Sequence, residues 1–101
     1  MDITEPKFSI NNKNKIILVT AKEGNFVDKN KILLQKNVLF KSEDFSIETD
    51  KVIFDRKDQT ASSNTKSVFR SKNTIISSEG FDIHDSGDKI IFIGNAIINL
   101  K

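Results

Sequence analysis

The chain has no cysteine, tryptophan or tyrosine among its 101 residues, and it holds one proline, one methionine, one histidine and four glycines. Without cysteine there can be no disulfide framework and no thiolate metal site, which leaves the redox compartment open. Long apolar runs are missing too. The longest, Ile16 to Val19 and Ile90 to Ile93, fall far short of the roughly 20 residues that a transmembrane helix needs. Met1-Asp-Ile-Thr-Glu-Pro6 lacks a basic segment followed by an apolar one and does not read as a signal peptide. A second histidine and a Gly-x-Ser-x-Gly turn are both wanting, so no Ser-His-Asp triad can be assembled. Enzyme activity is not expected.

What is present describes one soluble domain. Hydrophobic residues at 37% and charged residues at 30% fit neither a disordered nor a membrane-spanning chain, and the length suffices for one modest core. The net charge of +2 is uneven. Residues 1 to 41 carry eight lysines against Asp2, Glu5, Glu23 and Asp28, so the first part is basic and the remainder slightly acidic.

Period two dominates the pattern. Ile17, Val19 and Ala21 alternate with Leu18 and Thr20, and Phe45, Ile47 and Thr49 with Ser46 and Glu48. Ile, Val, Phe and Thr suit a pleated, half-buried surface, and helical spacing is not sustained. Polar punctuation at Asn11 to Asn14, Asp28 to Lys31, Ser42 to Asp44, Arg56 to Gln59, Ser71 to Asn73 and Asp85 to Asp88 marks turns between short antiparallel strands. The fold class is therefore all-β. The polar stretch Thr60 to Ser67 reads as a mobile loop within the domain.

A repeat underlies the rhythm. Leu34 to Phe40 lies over Phe92 to Ile98 when Asn37 is set on Asn95, an offset of 58 positions. Ala21, Gly24 and Phe26 recur as Thr49, Val52 and Phe54 and again as Ser78, Phe81 and Ile83, with starts 28 and 29 positions apart. Each unit reads as a strand, a step, a second strand, a turn and a return strand, and no unit could bury its apolar face alone. The middle unit is degraded at its return strand, Ser62 to Val68.

If Ala21, Phe26, Ile32, Leu34, Val38, Phe40, Phe45, Ile47, Val52, Phe54, Phe81, Ile83, Ile90, Phe92, Ala96, Ile98 and Leu100 point inward, two curved sheets face one another. Filled by its own side chains, the interior is an ordinary sandwich core, which the residues alone favour because inward aliphatics are usually core. Left partly open, it is a trough for acyl chains.

Several pieces in order resemble the periplasmic domain of the LptC family of lipopolysaccharide export, within the wider LptA-like and OstA-like β-jellyrolls. They are Glu5-Pro6-Lys7-Phe8-Ser9, Ile17-Leu-Val-Thr-Ala21, Leu34-Gln-Lys-Asn-Val38, Ser78-Glu-Gly80-Phe81-Asp-Ile83 and Ile90-Ile-Phe92-Ile-Gly94-Asn-Ala96. The resemblance spans nearly the whole chain, residues 1 to 101, as one domain. Two departures stand out: the central region is more polar, and the N-terminal membrane helix expected of the family is missing from this chain.

The resemblance implies an open jellyroll of two facing antiparallel sheets and a binding protein without chemistry or cofactor. Lipid A acyl chains of lipopolysaccharide would lie along Val19, Phe26, Leu34, Val38, Phe40, Phe45, Ile47, Val52, Phe54, Phe81, Ile83, Phe92 and Ile98. Edge-strand addition would join neighbouring jellyrolls: LptF/LptG-like ones at Phe8, Ile10, Ile17 and Ala21, and an LptA-like one at Ile90, Ala96 and Leu100. The same edges admit a homodimer. The expected place is the periplasm, tethered to the inner membrane by a helix of the full-length protein.

Other signals have plainer readings. His84, between Asp82 and Asp85, could serve a metal or proton but reads as a solvated strand residue. Asp85-Ser-Gly-Asp88 lacks the spaced ligands of a calcium loop and reads as a hairpin turn with Gly87 at positive φ. Lys13, Lys15, Lys22, Lys29, Lys31, Lys36 and Lys41 suit lipid A phosphates, or equally a solvated face. They would also suit a small barrel binding single-stranded nucleic acid, but the Phe residues share the apolar phase, so nucleic acid is not expected. A polymerising β-solenoid is disfavoured by the broken middle unit.

Overall fold

The computed structural model describes residues 2–12 and 15–100, apart from the side chains of Asp2, Asn99 and Leu100. Its strands are β1 (Asp2–Thr4), β2 (Lys7–Asn12), β3 (Lys15–Thr20), β4 (Glu23–Phe26), β5 (Lys31–Lys41), β6 (Phe45–Asp55), β7 (Thr60–Ser63), β8 (Ser67–Ser71), β9 (Thr74–Ser78), β10 (Gly80–His84), β11 (Lys89–Ile93) and β12 (Ile97–Leu100). All pair antiparallel, and a single hydrogen-bonded sheet results.

That sheet is folded along its middle. One half runs β2-β3-β5-β6-β8-β9-β12 and the other β1-β4-β5-β6-β7-β10-β11, with the long β5 and β6 crossing from half to half. The chain is thus an up-and-down meander of seven bent arms: β1–β2, β3–β4, β5, β6, β7–β8, β9–β10 and β11–β12. Each arm pairs only with its predecessor and successor. One repeat of the sequence is one arm out and one arm back, which accounts for the 28- and 29-residue steps.

The bend has a chemical cause in each arm. Val38, Thr49, Ser67 and Ser78 lie in register across four arms at the fold line, and all are buried. Two half-sheets converge there, so only small or slim side chains fit. Glu5 (φ 50°) with Pro6, Lys36 and Asn37 (φ 66° and 52°), and Gly94 (φ 81°) turn the backbone in three of the arms. At Gly80 a Cβ would stand 2.3 Å from the Ser63 carbonyl oxygen, so the sixth arm can bend against the fifth only with glycine at that point.

The segment Thr60 to Ser67 is not a loop. It forms β7 and the start of β8, with Ala61, Ser63 and Ser67 buried. Its hydroxyls are interior because they satisfy one another: Thr49 Oγ1 lies 3.2 Å from Ser63 Oγ and 2.8 Å from Thr65 Oγ1, and donates to the Lys66 carbonyl at 3.0 Å. Ser67 Oγ donates to the Thr65 carbonyl at 2.8 Å. The return strand that reads as degraded in the sequence is present, polar and stepped at residues 64–66 between β7 and β8.

The described turns fall at the polar punctuation. Asp28 Oδ1 accepts the amides of Asn30 and Lys31, both at 2.9 Å, and Asp55 Oδ1 those of Lys57 and Asp58, both at 3.0 Å. Residues Asp85–Gly87 make a 3-10 turn in which Gly87 has φ +94°. Asn11 to Asn14 lies partly outside the described residues.

Candidate functional site

Facing arms bring the inward rows together. In the first half, Phe8, Val19, Phe40, Ile47, Phe69, Ile76 and Ile98 stand in one cross-strand row. In the second, Phe26, Ile32, Phe54, Ala61, Ile83 and Ile90 form another. Rings meet across the interior: Phe8 with Phe54 at 5.4 Å, Phe40 edge-on to Phe81 at 5.5 Å, and Phe69 edge-on to Phe92 at 5.5 Å.

The middle of this interior is filled and its last end is open. Val19, Phe40, Ile47, Phe81 and Ile83 are fully buried, while Phe69 and Phe92 are only partly covered and Ile98 is 61% exposed. Among the expected interior residues, Leu34, Val38, Val52 and Phe54 are buried as well, and Phe26 and Phe45 pack against the core from partly exposed positions.

Ile98 requires a correction. It keeps the inward phase, opposite Ile76, yet it is uncovered, because no eighth arm lies beyond β12 among the described residues. Ala96, also expected inward, is exposed between β11 and β12 for the same reason.

The expected edges divide. Phe8 and Ile10 lie on β2, which is bonded on one side only, and Ile90 on β11, which is likewise an edge. Ile17 and Ala21 do not mark an edge: β3, which carries Ile17 and leads into Ala21, is flanked by β2 and β5. The backbone of Leu100 lies in β12 opposite Thr74, its side chain falling outside the described residues. Lys13 of the basic set lies outside them also.

Phe69, Ile76 and Ile3 were missed as inward residues. Val68-Phe69 and Ile75-Ile76 place apolar side chains at both parities, which hides the phase; the only available signal was Ser67, Phe69 and Ser71 continuing the period of Thr49 across the sheet.

At the rim of the folded sheet a cleft of about 160 Å³ lies among Asn12, Lys15, Ile16, Ile17, Ser42, Glu43, Asp44, Phe45, Ser86 and Gly87. It has an apolar floor, Ile17 and Phe45, and charged lips. The 3-10 turn rests on it so closely that a Cβ at Gly87 would be 2.7 Å from Ile17 Cδ1. Asn11 N–H also donates to Gln59 Oε1 at 3.0 Å, tying one rim to the other. Among the described residues, this hydrogen bond and the packing of Gly87 on Ile17 are the contacts that join the rims here.

Charge lies outside the interior. Arg56 sits over the Phe26 ring at 5.1 Å and donates to the Lys29 carbonyl at 3.1 Å. Lys36 pairs with Glu23 at 2.9 Å, and Arg70 with Glu48, all with exposed side chains; such pairs contribute little to stability. The amides of Asn30 and Lys31 hold the Asp28 carboxyl below the ordinary carboxylate range. His84 is exposed at the end of β10, opposite Lys89.

The described interior is thus apolar, closed in the middle and uncovered at the last arm, and the sheet ends in strands bonded on one side only. No curated protein matches the chain. The family model of lipopolysaccharide-assembly, LptC-related proteins matches residues 1–99, and the chain belongs to that family, a transport family that acts on lipopolysaccharide with other Lpt proteins at the periplasmic side of the inner membrane.

Proposed function

We propose that this domain receives lipopolysaccharide from an inner-membrane transporter, holds its acyl chains along the folded interior and passes it to the next periplasmic jellyroll. The observation that carries this reading is the row from Phe40 and Ile47 through Phe69 and Ile76 to Ile98, which runs without a polar interruption from the buried middle to the exposed last arm. An acyl chain gains about 0.8 kcal/mol per buried CH₂. It would enter beside Ile98 and Phe92, where the interior is already uncovered, and extend inward as the weakly tied rims part. Sugars and phosphates would stay in water beside the last arm.

The two edges would serve the two neighbours. β1 and β2 would add to an LptF/LptG-like jellyroll, and β11 and β12 to an LptA-like one or, in its absence, to a second copy of the chain. A helix N-terminal to the domain in the full-length protein would tether it.

The test is photocrosslinking to lipopolysaccharide from inward Phe54, Phe92 and Ile98 and from outward Lys51 and Lys89. Adducts at the inward positions, with Ile98 and Phe92 strongest, are expected. Adducts at the lysines alone would mean binding by surface charge, and none at any position would overturn the reading.

A further inference from the structure

The two halves of the folded sheet are continuous across the fold line, and on the opposite side their hairpin turns face each other as a mouth. Two turns of the second half reach over to the first arm. The 3-10 turn Asp85–Gly87 packs on Ile10 of β2 and Ile17 of β3: a Cβ at Gly87 would be 2.7 Å from Ile17 Cδ1 and 3.7 Å from Ile10 Cγ2. β2 is an edge strand, yet Ile10 on it is fully buried, with this turn lying over it. The turn between β6 and β7 makes the second contact. Gln59 Oε1 accepts the Asn11 amide at 3.0 Å, and Gln59 Nε2 donates to the Arg56 carbonyl at 2.9 Å. An amide turned to Gln59 is turned away from β3, so it belongs to the free side of β2. A side-chain amide from the other half thus stands where the peptide of an added strand would.

Both contacts are made from strained backbone. Gln59 has φ 56°, and Asp85, Ser86 and Gly87 follow one another at 52°, 53° and 94°. Residues other than glycine hold such angles only where their surroundings fix them. The 3-10 turn is closed by a main-chain hydrogen bond from the Asp88 amide to the Asp85 carbonyl at 3.1 Å. Strain favours release of these turns, and the burial of Ile10 and Ile17 opposes it.

We propose that Gln59 and the 3-10 turn form a two-point latch across the mouth, shut over Ile10 and Ile17 at rest and able to open while β5 and β6 stay folded. Once open, it joins the cleft floored by Ile17 and Phe45 to the interior, because Phe45 stacks on Phe69 at 5.3 Å and Phe69 meets Phe92. An aliphatic chain then has a way in from the side as well as beside the last arm. What enters rests on the lipopolysaccharide reading; the latch itself does not.

The chain has no cysteine, so Ile10→Cys puts a single thiol under the latch and Val52→Cys puts one in the core away from it. At low reagent concentration the rate of thiol labelling reads the fraction open. Without lipid, labelling at position 10 should be the faster and nearly independent of urea, since the latch exposes little surface, whereas labelling at position 52 should climb with urea as global unfolding does. Gln59→Ala should raise the rate at position 10 by about fivefold, the worth of one hydrogen bond, still without a urea slope. Gly87→Ala, which needs a left-handed alanine pressed on Ile17, should raise it by about tenfold or more. Gln59→Glu keeps an acceptor and should keep most of the protection. Asn11→Pro removes the donor on the free side of the edge and spares the ladder to β3; it should match Gln59→Ala, and the two together should add little to either alone. With lipopolysaccharide, adducts from a photoreactive residue at Phe45 should rise in Gln59→Ala while those at Ile98 hold steady. One shared rate and urea slope at positions 10 and 52, or no change at position 10 in both Gln59→Ala and Asn11→Pro, overturns the latch. Adducts at Ile98 with none gained at Phe45 overturn the side entry. Absence of adducts everywhere overturns the lipopolysaccharide reading instead, and the thiol rates alone then decide the latch.

Discussion

The first and last arms are both edges of the same sheet, but only one is finished. In the first arm, Pro6 and Ile10 are buried and Phe8 is partly covered, while Lys7 and Asn11 face water. A buried proline at the bend, charge on the outer face and polar alternation are the ways natural sheets blunt an edge. The last arm breaks that alternation. Ile91, Ile93, Ile97 and Ile98 are 45%, 42%, 61% and 61% exposed, on both faces of the sheet. One edge ends the core; the other leaves off in the middle of one. Position in the meander alone does not make an edge sticky, and the side chains on the terminal strand decide it.

The largest effect that would break this comparison lies in the arms between the edges. Phe40→Ala should destabilise the domain by about 3–5 kcal/mol in urea unfolding, and Phe92→Ala on the last arm by clearly less. Equal losses would mean that the last arm is as integrated as the middle. Next comes a matched pair. Ile10→Ser, on a fully buried residue of the first edge, should cost about 2–5 kcal/mol, whereas Ile98→Ser should stay within about 0.5 kcal/mol while weakening lipopolysaccharide crosslinking.

A smaller effect concerns association. Ile91→Lys/Ile97→Lys should reduce any concentration-dependent sedimentation of the chain, and Ser9→Lys/Asn11→Lys on the first edge should leave it unchanged; the reverse ranking would exchange the roles of the two edges. The smallest effect sits away from both, in the turn between β4 and β5. Asp28 has a folded-state pKa below its unfolded value, so it stabilises above the unfolded pKa, and that contribution is lost as pH falls through the folded one. Asp28→Asn should lower the urea midpoint slightly at neutral pH, flatten the acid limb, and converge with the wild type below the folded pKa of Asp28.

Strands, turns and the repeat were legible because period two and polar punctuation are local signals. Val19, Leu34, Phe40, Ile47, Val52, Phe54, Phe81 and Ile83 are buried as their alternation requires. Two kinds of information were not local. Thr60 to Ser67 looked like a loop because hydroxyls are polar in sequence, and only across the fold line do Thr49, Ser63, Thr65 and Ser67 find one another. Ile17 and Ala21 as edge positions and Ala96 as a covered one were misjudged for a related reason, and Ile98 keeps its inward phase without cover: alternation tells which way a side chain points and says nothing about how many strands lie beside it.

The strictly sequential order of the arms has a consequence in time as well as in space. Because each arm pairs only with the arms before and after it, the hairpin of β5 and β6, joined by the three residues Ser42 to Asp44, can form first and the other arms can add outward one by one at small loop-closure cost. Amide exchange should then be slowest in β5 and β6 and fastest in β12, and a uniform rate across the arms would contradict the sequence of events. On this order the strand offered to a neighbour is the last to settle, so an incoming sheet would meet it while it is still being decided which chain completes it.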